Sequence, residues 1–197
     1  MGIQMMDIAL LDEKLSKVLS EKRYTHSVYV SHTAVDMAKI FGLDINKAFL
    51  AGLVHDCAKY MSYDEMIDTA KRYEYTFDGM TLACPGIMHA DVGALLAQYE
   101  YGIDDTGILD AIRYHTVARE GMTSLEKIIY IADMAEPMRD FDGVDRLREL
   151  SKSDLDKAFF EALRLSLEFN VKKKNIIHPN TLLAYNEVLT NTREEKQ

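Results

Sequence analysis

Only three prolines and ten glycines interrupt 197 residues, so long stretches of chain carry no helix breaker. Apolar residues recur along those stretches at three- and four-residue spacing, and no alternating run marks a strand. The pattern predicts an all-α fold. Helices are expected over about residues 7–20, 22–41 and 44–59, with Gly42 closing the second as a left-handed cap. Ser62 and Glu65 form a capping box that opens a fourth helix. Residues 74–87, which include Gly79, Pro85 and Gly86, read as a loop. Helices resume over about 88–100, 106–118 and 123–136, the last stopped near Pro137. Ser153 is expected to cap a long amphipathic helix, and a final one begins near Pro179, followed by a frayed charged tail. With no repeat and no linker, one helical domain spans residues 1–197, with a core over about 20–140 and C-terminal helices over about 141–193.

Composition narrows the function. A net charge of −9 offers no basic surface for nucleic acid or for an anionic membrane. Cys57 and Cys84 fit no metal-binding spacing. The first residues lack a signal-like apolar segment, and no run is long enough to span a bilayer, so a cytoplasmic location is expected.

The histidines carry the chemistry. His26 shares a helical face with Val30, Ala34 and Met37, and His115 shares one with Ile108, Ala111 and Ile112. His89 leads the stripe Val92, Gly93 and Leu96, while His55 lies in a segment that is apolar nearly all round. Asp133 falls on the face of Ile129 and Ala132, and Asp56 follows His55. A carboxylate on a buried face is costly unless it is paired or binds a metal. One inward histidine is ordinary core; four of them with two aspartates, drawn from five helices, compose a metal site. Imidazole and carboxylate ligands suit iron, manganese or zinc better than calcium.

Other residues fall around that set. Lys59, four residues after His55 and three after Asp56, shares their face in a continuous helix, as a phosphate anchor or as a solvent-facing lysine. Arg139 is a candidate for a second phosphate or a surface arginine, and Thr116 for a phosphate oxygen or a helix-end cap. Arg113 and Arg119 lie near without a spacing argument. His32, about 120° round the helix from His26, and His178, before Pro179, are not expected as ligands. Cys57 is expected to pack.

The ordered series His26, His55-Asp56, His89, His115 and Asp133 resembles the HD superfamily, in its version with two additional histidines. The blocks KRYTHSVYV, AGLVHDCAKY, IMHADVGALL, IRYHT, YIADMAEPMR and HPNTLLAYN are similar, in that order, to those of the bacterial YqeK-type family, over about residues 20–190. The resemblance implies an HD-domain helical bundle that cleaves diadenosine tetraphosphate symmetrically to two ADP. It implies two divalent metal ions, iron or a similar metal, bridged by Asp56. His26, His55 and Asp133 would complete one metal and His89 and His115 the other, with water attacking phosphorus. Asp56 and Lys59 are then the expected catalytic residues, and Lys59, Thr116 and Arg139 the expected substrate contacts. A nucleotide is the expected partner; a homodimer is compatible with the sequence, although no surface stripe marks one. The competing readings are a di-iron oxygenase, a nucleotide-sensing module without turnover, and a one-metal nucleotidase that leaves His89 and His115 idle.

Overall fold

The protein is described by a computed structural model covering residues 7–194, with side chains through residue 191. Among the described residues every regular element is helical. In chain order these are α1 (Ile8–Val18), α2 (Glu21–Phe41), α3 (Ile45–Val54), α4 (Tyr63–Arg72), α5 (Gly79–Ala83), a 3-10 turn (Pro85–Ile87), α6 (Met88–Tyr99), α7 (Thr106–Tyr114), α8 (Ser124–Ala135), α9 (Val144–Leu150), α10 (Leu155–Lys173) and α11 (Pro179–Glu194). None of the described helices is long and apolar enough to cross a membrane.

Helices α2, α3, α7 and α8 pack on one another around the site, α6 backs α7, and α10 ties α8 to α9 and α11. Leu53, Met88, Ile112, Ile128, Ile129 and Ile131 fill the centre and are fully buried. Gly52 sets the closest crossing: a Cβ there would meet Ser31 Cα of α2 at 2.7 Å. Any larger residue would push α3, and the histidine that follows it, away from α2.

The caps follow the sequence in most places. Gly42 ends α2 in the left-handed region at φ 69°, and Ser62 with Glu65 forms the capping box of α4. Four expectations change. The stretch 74–87 is not all loop, because Asp78 accepts from the amides of Met80 and Thr81 and so starts α5. Asp154, not Ser153, caps α10 by accepting from Lys157 N at 3.0 Å. A short helix, α9, stands where none was expected; seven residues are too few to declare a 3.6-residue period. The expected frayed tail lies partly outside the described residues.

The fourth change bears on function. Helices α3 and α7 end at Val54 and Tyr114, several residues early. In a continuing helix Gly52 O and Ile112 O would accept the amides four residues on. Here they pair with imidazoles instead: His55 Nδ1 lies 2.7 Å from Gly52 O, and His115 Nδ1 lies 2.6 Å from Ile112 O. After α3 the chain tightens into three-residue turns, Cys57 N to Val54 O at 3.0 Å and Lys59 N to Asp56 O at 2.9 Å.

Candidate metal centre

The structure brings all six candidate ligands together. His26 projects from α2, His55 and Asp56 from the turn after α3, His89 from α6, His115 from the end of α7 and Asp133 from α8. His26, His55, Asp56, His89 and His115 are each 5% exposed or less, while the Asp133 side chain is 21% exposed. The imidazoles stand edge to face, with ring centroids 5.3 Å apart for His26 and His55, 4.9 Å for His55 and His115, and 5.2 Å for His89 and His115.

Hydrogen bonding fixes which nitrogen faces inward. His55, His89 and His115 each direct Nδ1 at the backbone carbonyl three residues earlier, with Gly86 O at 2.9 Å for His89. A carbonyl only accepts, so Nδ1 carries the proton and Nε2 keeps its lone pair. His26 Nδ1 lies 3.0 Å from Glu136 Oε1, which imposes the same tautomer. Four Nε2 lone pairs therefore converge on the two aspartates.

The carboxylate of Asp56 stands between two pairs of imidazoles. Its Oδ1 lies 3.1 Å from His89 Nε2 and 3.6 Å from His115 Nε2; its Oδ2 lies 3.8 Å from His26 Nε2 and 3.6 Å from His55 Nε2. Asp133 Oδ1 lies 3.0 Å from His26 Nε2 and 3.9 Å from His55 Nε2. His26 Nε2 and His55 Nε2 are buried and have no hydrogen-bond partner of proper geometry among the described residues. Orphaned buried acceptors of this kind cost free energy that a cation would offset, so the donor set fits a divalent metal.

Electrostatics agree. Burial lowers the pKa of His55 and of His89 to about 4, so both rings are neutral and able to ligate near neutral pH. Burial pushes the Asp56 carboxyl up, but His55, His115 and His89 outweigh it and hold it well below the usual range. Asp133 is likewise held low against burial by His26, His55 and Arg139.

Three cations ring the cluster. Lys59 Nζ lies 3.1 and 3.2 Å from the two ring nitrogens of His89, although the helix invoked to place it ends at Val54. Arg139 pairs through Nη2 with Asp133 Oδ1 and through Nε with Asp133 O at 2.7 Å. Arg23, not singled out from the sequence, donates from Nη1 to Asp56 Oδ2 at 2.5 Å. Its position one turn before His26 is the signal that could have found it. Glu136 was also missed; it is 1% exposed, one turn beyond Asp133 and just before Pro137, where an acid without a partner would not be tolerated. Thr116 does not join the cluster but lines an adjoining cavity. His32 is exposed, and Cys57 packs, its thiol raised by burial and 3.5 Å from Gly93 O.

The HD domain model matches residues 23–138, which hold all six of these residues. The chain belongs to the HD-domain family. Among curated relatives it is 44% identical over 171 residues to the symmetrical bis(5'-nucleosyl)-tetraphosphatase of Bacillus subtilis, covering 85% of this chain and 90% of that one. It is 36% identical to the protein of the same name from Staphylococcus aureus, covering 92% and 94%. Among solved HD-domain structures it is similar to a predicted HD superfamily hydrolase involved in NAD metabolism from Clostridium acetobutylicum. That match has 39% identity and a TM-score of 0.92, and it covers 95% of this chain and 100% of that one.

Proposed function

We propose that this HD-domain protein hydrolyses dinucleoside polyphosphates, cutting diadenosine tetraphosphate with one water into two ADP. The observation that carries the reading is the position of Asp56, whose two oxygens face separate histidine pairs. With two divalent ions bound, iron or manganese, Asp56 would be a ligand to both. His26, His55 and Asp133 would hold one ion and His89 and His115 the other. Bound metals of this kind supply a water of lowered pKa and positive charge for phosphate oxygens.

The chain's own residues do the rest. The Nδ1 tethers hold the imidazoles in the ligating tautomer, and Glu136 raises the basicity of His26. Arg23, Lys59 and Arg139 are each engaged with a cluster residue. These three side chains stand beside the residues that would hold the ions, where they would bind and orient the polyphosphate. As the central P–O bond breaks, the departing ADP carries away the negative charge, and Lys59 is the group set to stabilise it. A ring of cations also favours phosphate chemistry over the oxygenase reading. The test is product analysis by chromatography with purified protein, diadenosine tetraphosphate and ferrous or manganous ion. ADP as sole product is expected; AMP plus ATP would overturn the symmetric cut, and no turnover with metal bound would overturn the substrate.

A further inference from the structure

Next to the cluster lies a partly open pocket of about 120 Å³, built by three segments of the chain. One wall is the stretch from Tyr75 to Asp91, one is the end of α7 with Arg113 and Thr116, and one is the start of α11 with His178 and Asn180. Thr116 follows His115, and Ile87, also on the wall, precedes His89 by two residues, so the space shares its walls with the cluster. Helix α11 is fastened there on purpose-built bonds: Thr181 Oγ1 donates to Val117 O at 2.7 Å, and Gly121 N donates to Glu187 Oε2 at 2.9 Å.

The polar groups inside are incompletely used. Thr116 Oγ1 and Arg113 Nε are buried without a hydrogen-bond partner among the described residues; Arg113 Nε is 3.5 Å from Asp91 Oδ1 but poorly aligned. Tyr75 donates to Asp91 at 2.6 Å, and His178 Nε2 lies 3.4 Å from Asp78. His178 Nδ1 accepts from Asn180 N at 3.2 Å, which leaves the Asn180 side chain outside that bond. Two carboxylates against one arginine repel a phosphate but accept from hydroxyl and amine groups. The volume is below the ~150 Å³ of a cavity that takes benzene, so at most a ribose or one edge of a base enters and a whole dinucleotide does not.

We propose that this cavity is the nucleoside subsite: it takes a ribose or a base edge of the nucleotide whose phosphates lie at the cluster. The proposal deepens the hydrolase reading and rests on it for the identity of the natural substrate. Its content is selectivity, since it makes the enzyme prefer nucleotides over bare polyphosphate chains.

The experiment is calorimetric titration of the manganese-loaded protein with ADP and, separately, with inorganic pyrophosphate. Wild type, Asn180→Ala and Thr116→Val are compared; both substitutions are small, and neither removes a bond that holds α11. ADP is expected to bind wild type about tenfold or more tighter than pyrophosphate, and each variant to lose roughly tenfold for ADP alone. Equal binding of the two ligands by wild type, unchanged ADP affinity in both variants, or parallel loss of both ligands would overturn the subsite. Binding is read without turnover, so a protein that shows this selectivity yet leaves diadenosine tetraphosphate intact would sink the substrate reading and keep the cavity.

Discussion

The histidine–aspartate cluster and the pocket beside it are both polar, yet they are short of different things. The cluster pairs its two ionised carboxylates with arginines but leaves His26 Nε2 and His55 Nε2 without a partner, so its lone pairs lack a cation to ligate. The cavity already sets Arg113 against Asp91 and His178 near Asp78; it lacks hydrogen bonds for Thr116 and the arginine Nε. A cation meets the first need, and a neutral ring with polar substituents meets the second. The contrast is what the proposed division of labour requires, with reaction at one region and recognition at the other.

The sharpest way to break that division is Asp56→Ala. It removes the one group facing both histidine pairs, and metal content by elemental analysis and activity are expected to fall together to background. Full activity would end the two-metal scheme. Lys59→Ala separates holding metal from handling phosphate: metal content should persist while kcat falls about 10²- to 10³-fold. Unchanged kinetics would take Lys59 out of the mechanism. Glu136→Gln weakens the acceptor behind His26, and metal affinity measured by competition with a chelator should drop roughly 10- to 100-fold. An unaltered affinity would make Glu136 a packing residue only.

A smaller effect separates the regions by pH. His55 and His89 titrate near 4 in the folded state against an ordinary 6.5. Below 6.5 the unfolded chain takes up protons that the folded chain refuses until about 4, so this contribution is full above 6.5 and is lost as pH falls through that window. Thermal melts of chelator-treated protein should therefore drop between pH ~7 and ~4, by a loss on the order of a few kcal/mol. A melting temperature that is flat or rises with acid would contradict the neutral, buried imidazoles.

These two regions also differ in how far they could be read from the chain. The six clustered residues were legible because each histidine or aspartate sat on an apolar face, where a polar group needs a reason. Lys59 was reached by a helix argument that does not hold at that point, since the chain turns tightly after Val54. Arg23 shows the reverse: its spacing from His26 was readable, but an arginine near a helix start looks like ordinary surface. The cavity was not legible at all. Asp78 and His178 are 100 residues apart, and no local pattern signals that α11 returns to meet the end of α7.

Three of the four imidazoles hold a carbonyl three residues back in their own chain. Each ring is thus oriented by local backbone and needs no incoming ion to find its rotamer. Stripping the ions would leave a receptor still shaped for them. Loading with a divalent ion would then run at the pace of ion capture and not of refolding.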